Sequence, residues 1–335
     1  MRAMVLRGSS LAIEDIPRPV PGPGLVLTRV LTCGVCGSDL HAVRFMEEMV
    51  DAARRTRSAL GPELDRSKPL VMGHEFVAEV VECGPGVEGW PPGTRVSGIP
   101  ITGYNPDLPG AYSEYVLMGA AALLHVPEKL SNRIAAMTEP CAVGLHAVRA
   151  AKMQRPEHAL VMGAGPIGLM TLLWLKREGV AHVTVTDLVE PRRSLARQLG
   201  ADLVVDPASE DVVDAVTRAA GSPPPVVFEC VGVEGTLETA IEAVAPGGRV
   251  VVVGVCMRED RIRPLVAISQ QVTLHFVLAY TPDEFAEALQ ALGDGSVNPS
   301  PMLTRVVSLD ELPAAFQALS DPKDCKVMLE LVPEG

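Results

Sequence analysis

Short apolar runs broken by proline and glycine open the chain. Residues 1–6 and 25–32 read as strands. Between them lies Pro17-Arg18-Pro19-Val20-Pro21-Gly22-Pro23-Gly24, where fixed φ angles and missing N–H groups forbid a helix. Residues 76–82 and 112–118 read as further strands, set apart by turns at Gly84, Gly86 and Pro91-Pro92-Gly93. This first section therefore reads as β-structure with irregular loops. One segment differs: residues 45–60 carry apolar side chains at 45, 46, 49, 50, 53 and 60, the spacing of one helix face. It fits either a surface helix that stabilises a loop or a lid over a cleft.

From about residue 141 apolar strands alternate with helical stretches. Residues 159–163, 182–187, 226–230 and 249–255 read as strands, and 167–178, 191–199 and 237–244 as helices. Strands that are apolar almost throughout, alternating with helices, predict an α/β fold with a parallel sheet covered on both faces. The tail adds helices near 282–292 and 309–319 and a last strand at 326–331.

A length of 335 residues predicts about two domains. The formal charge of −12 repels phosphate backbones, which argues against a nucleic-acid partner. The basic run Arg54-Arg55-Thr56-Arg57 reads as a solvated helix face. No apolar run approaches the roughly 18 residues of a membrane span, and the first residues lack the apolar stretch of a secretory signal. A cytoplasmic protein is expected. Seven cysteines, an odd number in a long chain, read as reduced thiols, metal ligands or core residues.

The sharpest motif is Gly163-Ala164-Gly165-Pro166-Ile167-Gly168, which follows an apolar strand and opens a helix. The first glycine allows a tight turn, the second lets backbone approach a pyrophosphate, and the third packs helix on strand. The N–H groups and positive helix terminus then hold phosphates. Asp187 closes the next strand 19 residues after Gly168, where a carboxylate accepts bonds from ribose hydroxyls and repels a 2′-phosphate. NAD is expected over NADP. Arg192 could complicate this preference, whereas Arg193 reads as a solvated helix-start residue.

A second constellation carries metal chemistry. Cys33-Gly34-Val35-Cys36-Gly37-Ser38-Asp39-Leu40-His41 is followed by Gly73-His74-Glu75 and by Glu139-Pro140. Thiolate, imidazole and carboxylate are zinc ligands, and a catalytic site keeps three of them plus an open position. Cys36, His74 and either Glu75 or Glu139 can supply three. The residues alone also allow a redox pair, half of a zinc ribbon or a core histidine, although no thioredoxin-like context and no second CxxC accompany them.

Taken in order, CGVCGSDLH, VMGHEFVAEVVECGPGV, EPCAVGLHA, GAGPIG, FECVGVEGTLETA, GGRVVVVGV and the terminal KVML resemble the zinc-dependent medium-chain dehydrogenases of the alcohol dehydrogenase superfamily. Glu-Pro at 139–140 is similar to the sorbitol, threonine and glucose dehydrogenase branch. The resemblance implies a GroES-like catalytic domain over 1–140, completed by 278–335, and a Rossmann domain over 141–277. It implies zinc at Cys36 and His74 with Glu75 or Glu139, and Cys141 as a packed thiol. Ser38 and His41 would form a proton relay beside Glu75. Val253, Gly254 and Val255 would lie near the nicotinamide, and Cys230 and Val231 near the cofactor. Reversible oxidation of an alcohol, in a cleft dried by closing domains, would follow.

Three departures from the family's pattern matter. Residues 97–110 contain no cysteine where many relatives hold a structural zinc, so one zinc per chain is expected. Ala78 replaces a usual glycine. Ala42 and Ala279-Tyr280 replace an aromatic and an arginine that suit polyols, which suggests a less polar alcohol. Residues 44–68 are longer than usual and fall where a substrate loop would be. Two rivals are a zinc-free NADPH quinone or enone reductase of the same fold and a non-catalytic nucleotide binder. Edge pairing through residues 272–278 would give a homodimer or homotetramer.

Overall fold

The computed structural model describes residues 1–56, 68–99, 104–154, 157–319 and 323–334. Tertiary contacts divide the chain into two units. The first comprises Met1–Glu139, Phe285–Gly293 and Leu303–Gly335, and the second Pro140–Glu284 and Asp294–Met302. The tail thus rejoins the first unit at residue 285, and residues 294–302 stay with the second.

In the first unit the long strand Leu25–Gly34 is the keel. It pairs antiparallel with Glu75–Cys83, Tyr115–Gly119 and the last strand, Lys326–Glu330. Arg95–Gly98 and Leu123–His125 extend the sheet on one side, and Leu303–Val307 lies parallel to the last strand on the other. Apolar residues bury this strand almost along its whole length. Ala78 sits fully buried opposite Val30, so the extra methyl group is accommodated inside the sheet.

Two expectations change here. The strand expected at 112–118 runs Tyr115–Gly119 instead. Tyr112 donates its N–H to Met72 O and Ser113 bridges Ala3, so both are committed elsewhere. The β-rich section also contains the helices Gly37–Arg44 and Met46–Thr56. The second covers most of the 45–60 segment, burying Met46 and Ala53; residues 57–60 lie outside the described residues. Arg55 pairs with Asp51 in solvent, as a charged helix face should.

The second unit is a six-stranded parallel sheet. Its strands run Leu203–Val205, Val183–Thr186, Ala159–Met162, Val226–Glu229, Arg249–Val252 and Thr273–Phe276 across the sheet. In chain order this is 3-2-1-4-5-6, the doubly wound arrangement, which binds ligands beyond the strand ends where the order reverses. The first, second and fourth strands in chain order are buried at every position. Helix Pro166–Arg177 follows the first strand, and the reversal lies between that strand and Val226–Glu229.

The glycine turn shows the packing demand expected of its third glycine. A Cβ on Gly168 would lie 1.9 Å from Gly163 O, whereas one on Gly165 would meet nothing within 4 Å. The third glycine is needed for packing, and the second faces open space. Gly168→Ala should lower stability by about 1–3 kcal/mol through overpacking and weaken NADH binding together with it. Calorimetry and NADH titration check this; an unshifted melting point would contradict the packing role.

Candidate active site

The candidate site is built on the first unit. Helix Gly37–Arg44 starts immediately after Cys36 and places Ser38, Asp39 and His41 on its first two turns. Strand Glu75–Cys83 begins at Glu75, with His74 just before it. The preceding Gly73 adopts a φ of +98°, and a Cβ there would collide with the Tyr112 backbone, so only glycine admits this turn.

These segments bring one donor atom each from Cys36, His74 and Glu75 within 4.8 Å of one another. Ser38 stands beside them, its Oγ 3.2 Å from Cys36 Sγ and 3.4 Å from His74 Nε2. The other ring nitrogen, Nδ1, faces Asp39 Oδ1 at 3.5 Å. Asp39 is fully buried; Tyr112 donates to its Oδ2 at 2.5 Å, and its Oδ1 has no hydrogen-bond partner. An orphaned carboxylate oxygen facing the far side of an imidazole is the arrangement that orients a metal-binding histidine.

Charge in the cluster is held in place from below. Lys326 Nζ donates to Glu75 Oε1 at 2.8 Å, to Oε2 at 2.7 Å and to Val35 O at 3.2 Å. Both side chains are 1% exposed. A carboxylate has about four lone-pair positions, so two remain for a cation. Burial alone would push His74 down, but Asp39 and Cys36 facing it hold its pKa well above the ordinary value. Burial, with Glu75 nearby, pushes the Cys36 thiol up. Both groups therefore hold protons that a bound cation would displace. The donor set and the orphaned Asp39 oxygen fit zinc.

Glu139 lies in the first turn of helix Thr138–Ala151, outside the three-donor cluster. It feels His74, Glu75, Lys326 and Asp39, and burial pushes its carboxyl up to about 7. His41 sits one turn beyond Ser38, edge-on to Phe45. Among the described residues no hydrogen bond joins it to Ser38. Burial, then Arg44, lowers its pKa, which keeps the imidazole neutral and able to accept a proton. Cys141 is buried in the second unit; its backbone oxygen accepts from Trp174 Nε1, and burial pushes its thiol up to about 12.

In the second unit Asp187 Oδ2 accepts from Ala164 N and Oδ1 from Val189 N, both at 2.8 Å. The carboxylate is thereby tied to the glycine turn. Arg192 Nη1 approaches it to 4.0 Å. Arg193 is not the solvated helix-start residue expected: its side chain is 11% exposed and is held by Glu190, Asp206 and Asp187 O. Glu229 Oε1 accepts from Val231 N and Gly232 N, and its backbone oxygen accepts from Val253 N and Gly254 N. One residue thus gathers the loops of Cys230, Val231, Val253 and Gly254.

Sequence reasoning missed Asp39, Tyr112, Glu229 and Lys326. A signal existed for two of them. Lys326 is a lone cation opening an apolar strand, and Glu229 an acid ending one.

Two family models match the chain: an alcohol dehydrogenase GroES-like domain over residues 22–128 and a zinc-binding dehydrogenase domain over 166–294. (R,R)-butanediol dehydrogenase of Bacillus subtilis is 33% identical over 90% of each chain. Its crystal structure superposes with a TM-score of 0.84, covering 98% of this chain and 99% of that one. Sorbitol dehydrogenase of Macaca fascicularis is 32% identical over 99% of this chain and 96% of its own. A chain from Sinorhizobium meliloti 1021 solved with NADP superposes at 0.84, with 26% identity over 98% of this chain and 99% of its own. The chain belongs to the zinc-type medium-chain dehydrogenases, in their sorbitol dehydrogenase-like branch. By class it is an NAD(P)-dependent alcohol dehydrogenase.

Two predictions follow from the cluster. Lys326→Met leaves Glu75 as an uncompensated buried charge, so the metal-free protein should lose about 3–5 kcal/mol in denaturant unfolding. A loss below about 1 kcal/mol would refute the pairing energetics. Glu139 has a folded-state pKa above its ordinary 4.5. Its contribution to folding is therefore complete below pH 4.5 and is lost as pH rises to about 7. In metal-free protein the stability of Glu139→Gln relative to the parent should climb across that window and level off above it. A pH-independent difference would contradict the raised pKa.

Proposed function

We propose that the chain reversibly oxidises a small, weakly polar secondary alcohol to a ketone with NAD, at one zinc per chain held by Cys36, His74 and Glu75. The convergence of these three donors beside Ser38 carries the reading. Similarity to butanediol and sorbitol dehydrogenases supports the substrate class. Zinc held there would supply Lewis acidity that lowers the alcohol's pKa, and NAD would supply the hydride acceptor.

The residues of this chain do the rest. Ser38 accepts the alcohol proton at the donor cluster. His41, neutral near pH 7, takes it onward through a water or hydroxyl that spans the helical turn between them. Asp39 fixes the His74 ring, and Glu139 adds a second protonatable carboxyl beside Glu75. Gly163, Gly165, Pro166, Ile167 and Gly168 cradle the pyrophosphate, and Asp187 takes the ribose hydroxyls. Asp187 favours NAD, while Arg192 at 4.0 Å is the residue through which NADP would compete.

The edge strand Thr273–Phe276 leaves Phe276 65% exposed, with exposed Leu265, Ile268 and Leu278 in the neighbouring sequence. Such an edge supports a homodimer or homotetramer. All seven cysteines are unpaired, and no described helix is long and apolar enough to cross a membrane, which supports a reducing, cytoplasmic setting.

Elemental analysis should find about one zinc per chain, and kcat/KM on secondary alcohols should be higher with NAD than with NADP. Ser38→Ala should lower kcat by roughly 10²–10⁴-fold with zinc content and NADH affinity unchanged. Parent-like turnover of that variant would overturn the role of Ser38. A metal-free yet active enzyme would overturn the zinc reading.

A further inference from the structure

Glu229 is the last residue of strand Val226–Glu229 and is 2% exposed. Its Oε1 takes two backbone N–H groups, from Val231 at 2.8 Å and from Gly232 at 2.9 Å. Among the described residues no cation pairs with it. Its Oε2 lies against Gly254, where a Cβ would stand 2.8 Å from that oxygen. A Cβ on Gly232, whose φ is +68°, would in turn lie 2.5 Å from Val255 N. Two loops are thus locked together around one buried carboxylate.

A neutral amide oxygen could accept the same two N–H groups. A carboxylate adds a full charge, and burying a charge without a counter-ion is costly. The charge itself therefore calls for a partner. The strand order reverses beside this strand, between Ala159–Met162 and Val226–Glu229. A dinucleotide lies across such a reversal, with one mononucleotide on each half of the sheet. The glycine turn follows the first strand, and Asp187, the ribose partner, follows Val183–Thr186 on the adenosine side. The nicotinamide half then runs the other way, over the ends of Val226–Glu229 and Arg249–Val252. There Val231 and Val255, on the two loops that the carboxylate locks, are 44% and 51% exposed. The oxidised nicotinamide ring carries a positive charge that the reduced ring lacks.

We infer that Glu229 sets the redox preference of the cofactor site: its buried carboxylate lies under the nicotinamide half and favours the cationic oxidised ring over neutral NADH. The inference rests on the reading of the glycine turn and Asp187 as an NAD site, and concerns the other half of that site. Glu229 needs no contact with the ring, because a charge acts at a distance where the surroundings are poor in water. The chain thereby holds its cofactor in the form that oxidises alcohols.

The test measures dissociation constants of NAD, NADH and ADP-ribose for the parent as purified and for Glu229→Gln, by NADH fluorescence and by competition against it. The amide keeps an oxygen for the loop N–H groups and removes the charge. The ratio of Kd for NAD to Kd for NADH should rise about tenfold, the effect of one unit charge at a protein's effective dielectric. ADP-ribose, which lacks the nicotinamide, should bind both proteins alike. Glu229→Asp keeps the charge with a shorter reach, so its ratio should stay near the parent's even where both affinities fall. Should Glu229→Gln fail to fold, Val231→Lys places a cation on the same loop at an exposed position and should move the ratio in the same direction. An unchanged ratio in whichever neutralised variant folds overturns the inference. So does an equal loss of all three ligands, or a shift in Glu229→Asp as large as in Glu229→Gln, since either makes the residue structural. A parent that binds neither NAD nor NADH would overturn the cofactor reading and this inference together.

Discussion

Lys326 and Glu75 hold each other out of water, and the geometry of the candidate site depends on that pair. Each side chain is 1% exposed. Removing two ions from water is expensive, and their attraction inside the protein at best returns the cost. What the pair provides is position. Glu75 opens one strand and Lys326 opens another, and both flank the end of the keel strand at Gly34. A side chain on Gly34 would lie 2.1 Å from Glu75 Oε2. The carboxylate is thus fixed by a cation below and by the bare backbone beside it, with lone pairs left for a third partner.

The same economy governs His74. Tyr112 satisfies one oxygen of Asp39 and leaves the other for the imidazole. Tyr112 is itself anchored by its backbone to Met72, so the orientation of the ring traces back to strand registry around Gly73. Three strands and one helix start converge on a single turn. None of the donors sits on a long loop, which gives them the rigid support that a preorganised site needs.

Much of this was legible in the chain itself. The parallel sheet was readable because its strands are apolar throughout, as two-sided burial demands. The glycine turn was readable because its spacing follows an apolar strand and opens a helix, and because Gly163 and Gly168 answer separate demands, a left-handed φ and close packing. Cys36 and His74, with Glu75 or Glu139, were readable as candidate donors from their chemistry, but the choice between the two carboxylates was not. Other features were not. Helix Gly37–Arg44 begins on a glycine, three residues after Gly34, and has little periodicity. The 112–118 stretch is rich in aromatic and apolar residues like a strand, but Ser113 is claimed by a bridge to Ala3. Asp39, Tyr112 and Lys326 gain meaning only from neighbours distant in sequence. Whether a buried acid meets a cation, a phenol or nothing is a property of three-dimensional registry, which no local pattern encodes.

The registry of the last strand also dictates an order of assembly. Lys326 lies 251 residues beyond Glu75 in the chain. On a ribosome the N-terminal strands and their thiol, imidazole and carboxylate emerge long before the lysine that neutralises Glu75. Until then the carboxylate cannot be buried unpaired, and the end of the keel strand stays open on the side that Lys326–Glu330 will cover. Closure of this pairing spans most of the polypeptide, so its loop-closure entropy must be met before the contact can form. The donor cluster is therefore among the first chemistry to be synthesised and among the last to be sealed.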